Sequence, residues 1–192
     1  MTARKLVNVG LTLAVLVAIV ALYRWTPTQK DIQQPVAVNG AVGKAVHTPR
    51  FDLTVDGIRI SKKLRVPRST PDRDTLTDFV VIDATVKATR EPIHLSLVQI
   101  RTSDGMTYLG ANRSGLDQVD LTSFQFAPGI PARGSFVVEL PADKLPGAIL
   151  LVMEKKILTD MEPQARIPLG VNDDQLAGLR KAVAILASTD AS

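Results

Sequence analysis

The two histidines, His47 and His94, are the side chains in this sequence best suited to exchange a proton near neutrality or to ligate a transition metal. His47 sits just ahead of a strand that begins at Phe51. His94 lies between Ile93 and Leu95, where strand alternation turns it to solvent. There is no cysteine to complete a metal site with them, to form a disulfide or to carry a lipid. The serines lack a G-x-S-x-G turn, and neither G-x-x-x-x-G-K-[ST] nor G-x-G-x-x-G occurs. The acidic pairs Asp72/Asp74 and Asp117/Asp120 have the composition of a calcium loop. They lack the glycine and glutamate of an EF-hand, so they read as solvated or turn-capping aspartates. These residues predict no catalytic group, no metal site and no cofactor, and a protein that is not an enzyme.

Charge offers a different chemistry. Between Arg59 and Arg73 stand Arg59, Lys62, Lys63, Arg65, Arg68 and Arg73 against Asp72 alone, six minus one, a local net of +5. Such segregation makes a local field that overall charge conceals. Residues 1–30 hold four of the 23 basic residues and no acid, leaving 19 basic against 19 acidic beyond them. Arg59, Lys62, Lys63, Arg65 and Arg68 are therefore candidates for contact with an anionic surface, the plainer reading being a solvated loop between two strands. Nucleic acid is not expected, because no aromatic residues interleave with the basic ones and the domain is expected outside the cytoplasm.

The elements that must carry these residues begin with a helix. Leu6 to Tyr23 is 18 residues without a charge, about 27 Å of helix and close to the hydrocarbon thickness of a bilayer. Tyr23 and Trp25 follow where rings favour the headgroup layer, and Arg4 and Lys5 bias the N-terminus to the cytoplasm. Ile19 before Ala21 and Leu16 before Ala18 are poor cleavage sites, so the segment is expected to stay attached as a single-pass anchor. Gly10, Ala14 and Ala18 recur at spacing four, a candidate helix-packing face.

Residues 1–25 thus form a cytoplasmic stub and anchor, and 26–42, with Pro27, Pro35 and Asn39-Gly40, a linker. From 43 to 170 strand signals recur. Phe51, Leu53 and Val55 alternate with polar residues, and Asp56-Gly57 interrupts or bulges the run before Ile58 and Ile60. Val80, Ile82, Ala84 and Val86 share a face, and Ser103-Asp104-Gly105 is a tight-hairpin signal. Ser135–Leu140, Ala148–Glu154 and Gln164–Leu169 complete seven or eight strands, which predicts an all-β, immunoglobulin-like antiparallel β-sandwich. In 171–192, Leu176, Leu179, Val183 and Leu186 at spacings of three, four and three predict a C-terminal amphipathic helix, with Asn172 among its capping residues. Its stripe is expected to dock on the sandwich.

Gly43-Lys44-Ala45-Val46, the strand Phe51–Val55, Phe79-Val80-Val81-Ile82-Asp83, the run Val86–Ile93 and above all Pro128–Asp143 resemble a bacterial telokin-like, immunoglobulin-like extracellular domain family. The resemblance spans roughly 43 to 170. It implies an exported domain of unassigned function, held by a lipid or a membrane helix, and it supplies no site residues. The expectation is a non-enzymatic binding or adaptor protein of the bacterial cell envelope. Its N-terminus would be cytoplasmic, its sandwich extracytoplasmic, and its partner another envelope protein or an anionic envelope component. The alternative is a structural accessory subunit that packs in a larger membrane complex through its helix.

Overall fold

The computed structural model describes residues 3–25, 34–66, 72–110, 120–154, 161–186 and 190–191, with side chains for all of these except 3–9 and 190–191. It divides into two units, Met1–Gln34 and Pro35–Ser192. The first holds one helix, α1 (Ala3–Trp25). Its large side chains from Leu11 to Trp25 are exposed, among them Leu13, Leu16, Ile19 and Leu22. Among the described residues no helix is long and apolar enough to cross a membrane.

The second unit is built on alternation. β3 (Phe51–Arg65) and β4 (Arg73–Ala88) form its longest antiparallel pair, and β9 (Pro131–Glu139) lies on the other side of β4. With β12 (Ala184–Ile185) beside β3, β13 (Asp190–Ala191) beside β9 and β2 (Ala45–His47) on β3, they make one sheet. The other sheet runs β1 (Val36–Asn39), β11 (Pro163–Pro168), β10 (Ile149–Met153), β6 (Leu97–Arg101) and β7 (Thr107–Leu109). β5 (Ile93–His94) and β8 (Gln125–Phe126) form a small third ladder. Between the two large sheets lies one core, with Leu53, Ile82 and Phe136 from one side and Ile100, Leu150 and Ile167 from the other, each fully buried.

The all-β sandwich holds, with two parallel pairs, β1–β11 and β12–β3, in an otherwise antiparallel arrangement. The five-stranded sheet includes β1, Val36–Asn39, ahead of residue 43. Val36–Asn39, expected within the linker, pairs with Pro163–Arg166, because an edge strand of four residues needs only a partner's free backbone groups. Gly40 is required behind it, since a Cβ there would stand 2.0 Å from Val46 Cγ2. Asp56 is a bulge: pairing resumes at Gly57, and the inward residues switch from Phe51, Leu53 and Val55 to Ile58 and Ile60.

The expected C-terminal amphipathic helix is corrected by the structure. Helix α2 (Asp173–Leu179) spans only seven residues, with Asn172 in a capping box with Gln175. Leu176 and Leu179 pack on the main core, but beyond them the chain extends as β12, whose neighbours in register are Leu64 and Arg65. Ala184 and Leu186 are fully buried. Burial against β3, with backbone pairing along it, outweighs the helical spacing of Val183 and Leu186.

The Ser103-Asp104-Gly105 hairpin joins β6 to β7, with Gly105 at φ +85°. Asp104 accepts hydrogen bonds from Lys144 Nζ at 2.8 Å and from the Thr102 hydroxyl and the Met106 amide. These donors, Lys144 first, hold its carboxyl down at about 2. The folded value lies below the usual value of about 3.9, so this stabilisation is complete above pH ~4 and is lost as pH falls through about 2. Denaturation of wild type and Asp104→Asn at stepped pH checks it. The stability difference between them shrinks from pH 4 to pH 2, and a difference constant across that range contradicts the assignment.

Candidate functional site

The basic segment lies on strands, not in a loop up to Arg65. A second irregularity sets Lys62 of β3 against Thr75–Asp78 of β4, between the pairs Ser61–Phe79 and Lys63–Asp74. It carries Leu64 to the outer face of the sheet, although Leu64 has the same parity as Ile60. There Leu64, Val66, Phe79, Val81 and Val137 form a second buried cluster with Ala184 and Leu186 of the C-terminal segment. The outer face of a sandwich sheet is ordinarily solvated. Here one end of it is a small core roofed by the last described residues with side chains.

The charges of the segment are mostly spoken for. Arg59 forms a two-pronged pair with Asp83, 2.8 Å from Nε and 2.6 Å from Nη2, and donates from Nη1 to the carbonyl of Ile185. Ser135 donates to the same Asp83 carboxylate. Arg65 grips Asp72 with two bonds of 2.9 and 2.8 Å, which lower the Asp72 carboxyl and raise the guanidinium. Lys63 stands 3.8 Å from Asp74. Lys62 is exposed. Arg68 lies outside the described residues, as does Asp117. Of the candidates Arg59, Lys62, Lys63, Arg65 and Arg68, three have carboxylate partners: β4 places Asp74 and Asp83 across from Lys63 and Arg59, and Asp72, directly before β4, meets Arg65. The pair Asp72/Asp74 serves those ion pairs.

Beside Lys62 a cavity of about 270 Å³ is lined by Ile60, Ser61, Lys62, Asp78, Arg180, Lys181 and Ala182. Asp78 is buried in its wall, one-tenth of the side chain remaining exposed. Its Oδ2 accepts from the Ala142 amide at 3.2 Å, while Oδ1 has no hydrogen-bond donor. The nearest compensation is Arg180 Nη1 at 3.6 Å, within ion-pair range and beyond a hydrogen bond. Sequence reading missed Asp78 and Arg180. The available signal was a carboxylate directly before the apolar run Phe79–Ile82, where a charge needs a partner.

The histidines are not brought together. His47 is exposed on β2 and bonds Asp52 at 2.7 Å; His94 is exposed on β5. Burial raises the Asp52 carboxyl, and bonds from His47 and Lys87 outweigh it to leave a lowered value. Asp120 caps a 3-10 turn through the Thr122 amide and also accepts from Val137. Among the described residues no three His, Cys, Asp or Glu side chains gather as metal ligands. Gly10, Ala14 and Ala18 are exposed on α1, with open space around Gly10.

No protein-family model matches the chain, and no curated protein does. Among solved structures it is similar to an uncharacterized beta-sandwich protein from Clostridium difficile 630, at 14% identity over 74% of this chain and 98% of that one, TM-score 0.45. It is also similar to MPT63, a secreted protein from Mycobacterium tuberculosis, at 18% identity over 70% and 97%, TM-score 0.41. A third likeness is to the yjhA protein from Bacillus subtilis, at 12% identity over 66% and 98%, TM-score 0.46. At these identities and scores the likeness reaches no residue of the site.

Proposed function

We propose that this chain is a non-enzymatic binding or adaptor protein of the bacterial cell envelope, anchored by α1 and displaying its immunoglobulin-like sandwich outside the cytoplasm. One observation carries the reading: a helix of 23 residues whose large apolar side chains are exposed along Leu11–Trp25. A helix apolar all round is stable only when its surface is buried, and a bilayer buries it without a protein partner. Gly10, Ala14 and Ala18 on one side of that helix favour the second reading, a structural accessory subunit packing through its anchor. Co-purification from native membranes, with α1 kept or exchanged for an unrelated anchor, tests both. Partners retained after the exchange support binding by the sandwich. Partners lost with α1 support the accessory reading, and no partner in either case contradicts both.

A further inference from the structure

The cavity of about 270 Å³ beside Lys62 exists with the C-terminal segment in place on β3. Much of its wall is backbone that is already paired. The Lys181 amide donates to the Ile60 carbonyl at 2.7 Å, and the Ser61 hydroxyl donates to the carbonyls of Lys63 and Ala182 at 2.8 and 3.3 Å. The groups left to meet a ligand are four charged side chains: Lys62 of β3, Asp78 of β4, and Arg180 and Lys181 just beyond α2.

Their charges do not cancel. Three cations stand against one carboxylate, three minus one, a net of +2. Arg180, half-exposed, lies nearer solvent than the buried Asp78, with Nη1 3.6 Å from Oδ1. Among the described residues the Arg180 guanidinium makes no hydrogen bond, and Lys62 makes neither a hydrogen bond nor an ion pair. Lys181 Nζ has one long bond, 3.5 Å to the Gly178 carbonyl, and keeps its other protons. Lys63 and Arg65, farther along β3, are answered by Asp74 and Asp72 and add little to this field. A buried carboxylate at one corner of a guanidinium fixes its place and leaves the remaining N–H groups for a fork on an oxyanion.

Charge then selects the ligand. A carboxylate brings one negative charge, whereas a phosphomonoester carries about −1.5 to −2 at pH 7 and three acceptor oxygens. We propose that this cavity binds a phosphomonoester group, with Arg180, Lys62 and Lys181 as its donors and Asp78 as the residue that positions Arg180. The inference rests on the reading of the sandwich as a binding domain and names the anionic component it takes. Such a group comes on a soluble polyol phosphate or on a lipid headgroup.

The test is calorimetric titration of the full chain, in an uncharged detergent at low salt, with glycerol 3-phosphate, dihexanoyl phosphatidate and acetate. Saturable binding of at least one phosphate ligand, about tenfold tighter than acetate, is expected. Binding of glycerol 3-phosphate alone assigns the soluble source, and binding of phosphatidate alone assigns the lipid. Lys62→Gln and Lys181→Gln each change an exposed side chain and should weaken binding about three- to fivefold, the double variant roughly tenfold or more. Lys44→Gln removes the same charge from an exposed lysine that does not line the cavity and should leave binding unchanged. Acetate bound as tightly as the phosphates, binding undiminished in the double variant, or an equal loss with Lys44→Gln overturns the site, as does no saturable binding of either phosphate ligand. Membrane partners still co-purifying in that event would leave the binding-protein reading standing without it.

Discussion

Changing Leu186 to Ala lowers the melting temperature of the full chain by about 4–8 °C. Leu186 is fully buried against Leu64, Val66, Phe79, Val81 and Val137, and truncation leaves a cavity in that cluster. Leucine-to-alanine changes in cores cost about 2–5 kcal/mol, and a cluster this small, on the outer face of the sheet, puts Leu186 at the low end, about 2. For a domain of this size each kcal/mol moves the midpoint by about 2–4 °C. The sign separates strand from helix. In an amphipathic helix of surface residues alanine would be neutral or favourable, being the better helix former. The neighbour Ile185, 56% exposed, supplies the control, and Ile185→Ala should move the midpoint by less than a quarter as much. Equal effects at both positions would contradict the seated strand.

That segment shows where sequence patterns stop being sufficient. Phe51-Leu53-Val55 and Val80-Ile82-Ala84-Val86 announced their strands and their inward face by period two, and Ser103-Asp104-Gly105 announced its hairpin. Asp56 was visible as an interruption, but its consequence, the switch of inward parity to Ile58 and Ile60, depends on pairing with β4. Leu64 shows the limit more sharply: its parity assigns it to the main core, and only the irregularity opposite Thr75–Asp78 sends it to the other face. Leu176, Leu179, Val183 and Leu186 fit a helical period, but the observed strand buries Ala184 and Leu186, so the decision fell to the edge of β3, far away in the chain. Val36–Asn39 was concealed for the same reason, its partner being β11. Arg59, Lys63 and Arg65 were legible as charges but not as pairs, since their carboxylates lie on the facing strand or directly before it.

A charge in the middle of α1 is expected to have the largest effect on the whole protein. Leu16→Arg replaces an exposed leucine near the centre of the uncharged run from Leu6 to Tyr23. In a bilayer that exchange costs about 3–4 kcal/mol on insertion scales, a factor of several hundred in the insertion equilibrium. Adding Val15→Arg roughly doubles the cost. The double variant should leave the membrane fraction on alkaline carbonate extraction while the sandwich keeps its β-type circular dichroism. Retention of the double variant in the carbonate-washed pellet would mean that α1 does not hold the protein there.

The central claim, an anchored chain with its sandwich outside the cytoplasm, is tested most directly by labelling one introduced thiol in intact cells. Leu76 is fully exposed on β4 and the native chain has no cysteine, so Leu76→Cys gives a single reactive position on the sandwich. A membrane-impermeant maleimide should label it before lysis, on a protein that remains in the carbonate-washed membrane pellet at the intact mass of the 192-residue chain. Labelling only after lysis, or a labelled protein recovered in the soluble fraction, would contradict the account.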